Sequence, residues 1–164
     1  MATTENIPRR WAEYLNPDDS TLDRLRCADR AATSLVPVGT AWDTVGDRWE
    51  ALAIASLERG LAALDVLGLP LDGGYPVIAD HARSELIVLV PAGTADRVAG
   101  GGPQAVRALT PGTWLVAPHG PTGAYVAAWL SRPTHGSARY VDPVRLCEAV
   151  LAAETLRGEH SRAH

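Results

Sequence analysis

Five residues carry side chains suited to holding a cation or moving a proton: Asp43, Asp47, Asp80, His81 and His119. Asp43 and Asp47 flank a turn at Val45-Gly46. Asp80 and His81 close one β-rich run, and His119 closes another. Strand ends and helix starts converge at one edge of many sheets, so these five residues make one candidate pocket. Its oxygen-rich donor set suits Mg²⁺ or Mn²⁺. Each residue also has a simpler local use. Asp47 is placed to cap a helix, Asp80 and His81 fall in a turn, and His119 falls in a polar one. The expectation is therefore no resident metal and no cofactor, with Mg²⁺ or Mn²⁺ entering only if the chain is an active phosphoryl- or nucleotidyl-transfer enzyme.

A second candidate group is basic and aromatic. Arg24, Arg26 and Arg30 share one segment, and Trp11 and Tyr14 lie just before it. Arginines neutralise phosphates and aromatic rings stack bases, which makes Trp11, Arg24, Arg26 and Arg30 candidate nucleic-acid contacts. Asp18, Asp19, Asp23 and Asp29 interleave with them, as on a solvated, salt-bridged helix face.

Other chemistries find little footing. No G-x-S-x-G elbow is present. Ala99-Gly100-Gly101-Gly102-Pro103 is glycine-rich but leads into no phosphate-binding lysine motif. All 15 basic residues are Arg, which excludes lysine Schiff bases and Walker-type lysines. Cys27 and Cys147 stand far apart in apolar helical segments, so both are expected to be free, buried thiols. The net charge of −4 is not that of a basic nucleic-acid module. The absence of Lys and Phe, with abundant Ala, Gly and Pro, matches high-GC bacterial codon usage. No apolar run reaches the roughly 18 residues of a membrane span, and Met1–Arg10 lacks a signal peptide's apolar core. These features point to a cytoplasmic protein.

The elements that must position these groups follow from periodicity and caps. Residues 1–164 fit one domain, with 1–8 and 159–164 expected to be disordered. Arg9–Leu15 reads as a short helix. Ser20 caps a helix over Thr21–Ala32, with Asp23 completing a capping box. Ser34–Val38 reads as an edge strand. Asp47 caps a long helix, Arg48–Leu67, ended by Gly68. Tyr75–Asp80 and Glu85–Val90 form a hairpin whose second strand is central. A short helix is expected over Gln104–Leu109. Thr113–Ala117 is expected to pair with Ala124–Leu130. Asp142-Pro143 starts the last helix, which stops at Gly158. The result is an α+β fold, with helices packed on a mixed or antiparallel sheet of about four to five strands. The expected core is Leu52, Leu57, Leu61, Leu64, Val77, Ile78, Leu86, Val88, Val90, Leu115, Val116, Val126, Val150 and Leu151.

The order of segments carries a resemblance. Gly39–Asp47 (GTAWDTVGD), the Ala/Leu helix, PVIAD–turn–ELIVLVP and GTWLVAPHGPTGAYVAAWLSRP resemble, from Leu35 to Leu151, the N-terminal domain of bifunctional DNA primase–polymerases (prim-pol). The likeness is to small prim-pol-like proteins of high-GC bacteria, within the archaeo-eukaryotic primase superfamily. The resemblance implies an acidic metal-binding pair, for which the nearest residues are Asp43 and Asp47, without D-x-D or D-x-E spacing. It implies a phosphate-contacting histidine on a following strand, where Arg83–Val90 has none. It implies a V-A-P-P-S-like segment before a Trp-bearing strand, where Val116-Ala117-Pro118-His119-Gly120 and Trp129 keep the shape and not the chemistry. Three functions are open. The first is a catalytically degenerate prim-pol-like protein that binds a partner, either protein or nucleic acid. The second is a metal-dependent transferase using Asp43, Asp47, Asp80 and His81. The third is a homodimeric accessory protein with no small-molecule site.

Overall fold

In the computed structural model, residues 9–42, 45–46, 48–100, 102–133 and 139–162 are described, with side chains as far as 156. Asp43 and Asp47 lie outside the described residues. So do residues 1–8, and the expectation of disorder there lies outside them too.

The segment expected to be one long helix divides at Ser56. Its first half is strand β2 (Trp49–Ala55) and its second half is helix α2 (Leu57–Leu67). Ser56 is the true N-cap, its hydroxyl accepting from Arg59 N–H. Every residue of β2 from Trp49 to Ile54 is buried, because the strand is covered on both faces. A short apolar run of this kind fits a helix face and a buried strand equally well by periodicity. Two neighbouring strands decide for the strand. β2 pairs antiparallel with β4 (Glu85–Pro91) on one side and with β5 (Val106–Leu109) on the other. β5 occupies the place where a short helix was expected. As expected, α2 ends at Gly68, which takes the left-handed conformation at φ 68°.

The main sheet has six antiparallel strands in the order β5-β2-β4-β3-β8-β7. Here β3 is Val77–Asp80, β7 is Gly123–Ala124 and β8 is Ala127–Ser131. The β3–β4 hairpin and the central place of β4 match the sequence reading. The sheet is antiparallel and one strand larger than expected, so the α+β class holds. A separate two-stranded ribbon pairs β1 (Thr33–Pro37) with β6 (Trp114–Pro118). This corrects the expected pairing of Thr113–Ala117 with Ala124–Leu130. β8 belongs instead beside β3. Gly123 allows the crossing between ribbon and sheet. A Cβ there would meet Ala127 O at 2.2 Å and Pro118 Cβ at 2.8 Å, and its φ is +84°.

Strand alternation sorts the core into two layers. Leu52, Ile54, Val77, Ala79, Leu86, Val88 and Val90 face α2 and the last helix, α4 (Pro143–Arg162). Trp49, Ala51, Ala53, Ile78, Ile87 and Leu89 face the ribbon, meeting Val36, Val38, Leu115 and Ala117. Gly60 lets α2 approach β4 closely, since a Cβ there would stand 2.7 Å from that of Leu86. On the helix side, the buried Glu50 carboxylate accepts from Ala95 N–H at 3.1 Å, at the start of α3 (Ala95–Ala99).

Several expected details shift. Asp18, not Ser20, caps α1 (Asp19–Arg26), accepting from Thr21 N–H at 2.8 Å. The helix ends at Arg26, and a separate 3₁₀ turn covers Arg30–Ala32. Asp142 caps α4 as expected, accepting from Val144 N–H at 2.9 Å. α4 runs past Gly158 to Arg162, so residues 159–162 are helical rather than disordered. A glycine costs a helix about 1 kcal/mol but does not end one without a competing cap. Of the expected core, Val116, Val126 and Leu151 are exposed. Cys147 is buried and Cys27 is exposed, which corrects the expectation for Cys27. Both thiols are free. No helix among the described residues is long and apolar enough to cross a membrane.

Candidate functional site

The structure separates the residues that the sequence grouped and joins two that it kept apart. Asp80 and His81 are chain neighbours but face different places. The Asp80 carboxylate accepts from Arg83 N–H at 2.9 Å and lies 4.0 Å from the Arg83 guanidinium, so it organises the β3–β4 turn. It lines a groove on the ribbon side of the sheet. His81 points into a cleft beneath α1 instead. His119 is elsewhere again. Its N–H donates to Ala32 O at 2.7 Å, and its side chain lines a shallow hollow beside β1 and Trp42. Among the described residues, no three His, Cys, Asp or Glu side chains gather as a metal would require. The five-residue pocket is therefore not assembled from its described members.

The cleft beneath α1 is built by the second candidate group. The Leu25 carbonyl accepts from Tyr125 N–H at 3.2 Å, and the Tyr125 carbonyl accepts from His81 N–H at 3.0 Å. These two bonds hang α1 over the β7–β8 turn and the end of β3. The His81 ring stacks on Tyr125, with centroids 5.5 Å apart and planes inclined at 24°. The Arg26 guanidinium lies 5.1 Å from the centre of the same Tyr125 ring, within cation–π range. Arg24 lines the other flank with Thr21, Tyr14 and Trp129, around a cavity of about 180 Å³. His81 borders this cavity and the one on the Arg26 side, which Ser84 also lines.

The electrostatics of the cleft are mixed: hydrogen bonds from Thr21 and the Arg24 charge hold the Asp18 carboxyl below its ordinary value. Among the described residues, no carboxylate lies within 4.0 Å of Arg24 or Arg26, whereas Arg59, Arg83 and Arg107 each have one. Arg24 makes a long contact of 3.4 Å with the Thr21 hydroxyl. Burial pushes the His81 imidazole below its ordinary value, partly opposed by the Asp80 charge. At neutral pH the ring is then a neutral donor and acceptor. The Ser84 hydroxyl accepts from Leu57 N–H at 3.2 Å, so it is occupied at the start of α2. The cleft thus combines two arginines, the aromatic side chains of Tyr14, Tyr125 and Trp129, and a neutral imidazole, a set suited to binding.

Trp11 does not belong to it. Its ring is buried, its Nε1–H donates to Leu69 O at 2.8 Å, and its backbone N–H donates to the Asp65 carboxylate at 2.8 Å. It anchors the first turn, Trp11–Leu15, to α2 and cannot stack a base. Arg30 is exposed and lines neither cavity. Sequence reasoning passed over Tyr125 and placed Trp129 only through the prim-pol resemblance, not in this cleft. The signal from the residues themselves was two aromatics four apart in a strand-like run. No family model matches this sequence, and neither does a curated protein or a solved structure.

Proposed function

We propose that this chain is a binding protein rather than a catalyst, a prim-pol-like domain whose α1 cleft holds single-stranded nucleic acid. The observation that carries the reading is the pair Arg24 and Arg26, neither in a described salt bridge, on the two flanks of the cleft, with Arg26 over the Tyr125 ring that His81 stacks on. Phosphates meet the guanidinium groups, and an unpaired base meets the flat faces of Tyr14 or Trp129. The altered catalytic positions of the prim-pol resemblance support the non-catalytic half of the reading.

Fluorescence anisotropy with a labelled oligothymidylate tests it. The wild type should bind, with an affinity that falls as salt rises. Arg24→Ala with Arg26→Ala should weaken binding about tenfold at low salt. It should also flatten the log–log salt slope by about 1.4, since each phosphate contact on a single strand contributes roughly 0.7. Equal affinity and slope in the double variant would show that the cleft is not the nucleic-acid site.

A primer-extension assay with Mn²⁺ and all four deoxynucleotides separates this reading from the enzyme reading. No incorporation is expected. Two-metal transfer needs carboxylates converging on the ions, and the Asp80 carboxylate is engaged by Arg83. Incorporation that Asp43→Ala with Asp47→Ala abolishes would establish a metal-dependent transferase instead.

A further inference from the structure

The ribbon carries a feature independent of the cleft. Its outer face is apolar: Leu35 is 65% exposed, Trp114 62% and Val116 42%. Leu35 and Val116 are cross-strand partners, and Trp114 lies two residues from Val116 on the same face. Val126, also exposed, shares a groove with Trp114 and Val116. Four large apolar side chains are thus exposed on or beside the ribbon's outer face, the kind of surface that often marks an interaction site.

The hydrogen-bond phase of the ribbon shows which edge is open. Val38 N–H donates to Thr113 O, and His119 N–H donates to Ala32 O. In an antiparallel ladder the bonded pairs alternate. Ser34 with Ala117 and Val36 with Leu115 are therefore bonded pairs, while Thr33–Pro118, Leu35–Val116 and Pro37–Trp114 point their backbone groups outward. Both ribbon prolines fall at outward positions, where a missing N–H does no harm to the ladder. Pro37 blunts the free edge of β1. The free edge of β6 has no such guard at its centre, since Trp114 and Val116 each present an N–H and a C=O. β1 is the only strand beside β6 among the described residues.

We propose that β6 pairs with β6 of a second copy of this chain about a two-fold axis at Leu115. In that register Trp114 of one copy faces Val116 of the other. Trp114 N–H donates to the opposite Val116 carbonyl, and Val116 N–H donates to the opposite Trp114 carbonyl. The axis repeats the pair, so one self-complementary edge supplies four bonds and a continuous ribbon β1-β6-β6-β1. The apolar patches of both copies merge on its outer face. The charged residues beside the groove are Asp80, Arg83, Glu85 and Arg107, which cancel in sign and oppose no approach of a like copy.

Sedimentation velocity tests the pairing between about 1 and 100 μM, the range expected for a modest interface. The wild type should approach twice the 17.4 kDa chain mass. Val116→Pro removes an outward N–H without breaking the β1–β6 ladder, so it should remain monomeric with an unchanged circular dichroism spectrum. Amide hydrogen exchange of the wild type gives a second reading that needs no variant. Exchange at Trp114 and Val116 should slow as concentration rises, while Leu115, already bonded to β1, should not change. A wild type that stays monomeric across the range overturns the proposal. So does a dimer that folded Val116→Pro preserves, or one that leaves Trp114 and Val116 exchange unchanged. Protection of those amides only on adding a different protein would assign the edge to another partner and likewise overturn it.

Discussion

Leu61→Asp should leave no folded protein. Leu61 is fully buried at the middle of α2, within the cluster that joins the helix to Leu52, Leu86 and Val88 of the sheet. Truncating a buried Leu already costs about 2–5 kcal/mol through lost transfer energy and the cavity left behind. A carboxylate there adds the cost of desolvating a charge with no partner. The ion pair of Arg59 with Glu154 lies at the helix surface, too peripheral to neutralise it. Domains of this kind hold about 5–15 kcal/mol in total, so the substitution removes most or all of it. Far-UV circular dichroism should show loss of cooperative melting, and Leu61→Met should lose less than about 1.5 kcal/mol. A soluble Leu61→Asp variant with an unchanged melting temperature would show that α2 does not close the sheet.

Trp49→Ala should cost about 3–5 kcal/mol, the range for removing a buried aromatic side chain. Trp49 is fully buried on the ribbon side of β2, and its Nε1–H donates to Thr40 O at 2.9 Å. Its ring packs 5.6 Å from that of Trp42, which stacks in turn on Trp129 at 5.6 Å. Trp129 lines the α1 cleft, so the loss should spread from the core to the candidate site. Urea unfolding should show a lower midpoint with an unchanged slope, and near-ultraviolet dichroism should lose its aromatic signature. Trp49→Phe keeps a ring and loses the bond to Thr40, so it should cost less. A midpoint for Trp49→Ala within error of the wild type would show that the tryptophan cluster does not hold ribbon to sheet.

Trp49 also marks where sequence reasoning met its limit. Local signals with a single reading were legible. Asp142-Pro143 starts a helix, Gly68 ends one, and the Tyr75–Val90 stretch turns back on itself around four polar or small residues. Each of these depends on backbone conformation or capping within a few residues, which the amino acids themselves dictate. The α+β class follows from the same signals. So does most of the expected core, because residues such as Leu52, Leu61 and Val88 are buried whichever element carries them.

The remainder depended on contacts distant in sequence. The run from Trp49 to Leu67 is apolar at both helical and strand spacing, and only pairing of its first half with β4 and β5 makes that half a strand. Trp11 reads as an exposed stacking ring until Leu69 and Asp65 are brought to it. Val116 reads as core until the ribbon turns it outward. Asp80 and His81 are adjacent in the chain, yet Asp80 ends β3 on the ribbon side while His81, just past the strand, lines the cleft beneath α1. Arg26 and His81 are far apart in the chain, and two backbone bonds through Tyr125 bring them to one cleft. Residue types and spacing determined which elements could form. Burial and strand pairing between distant segments, which a local pattern does not encode, decided which side chains meet.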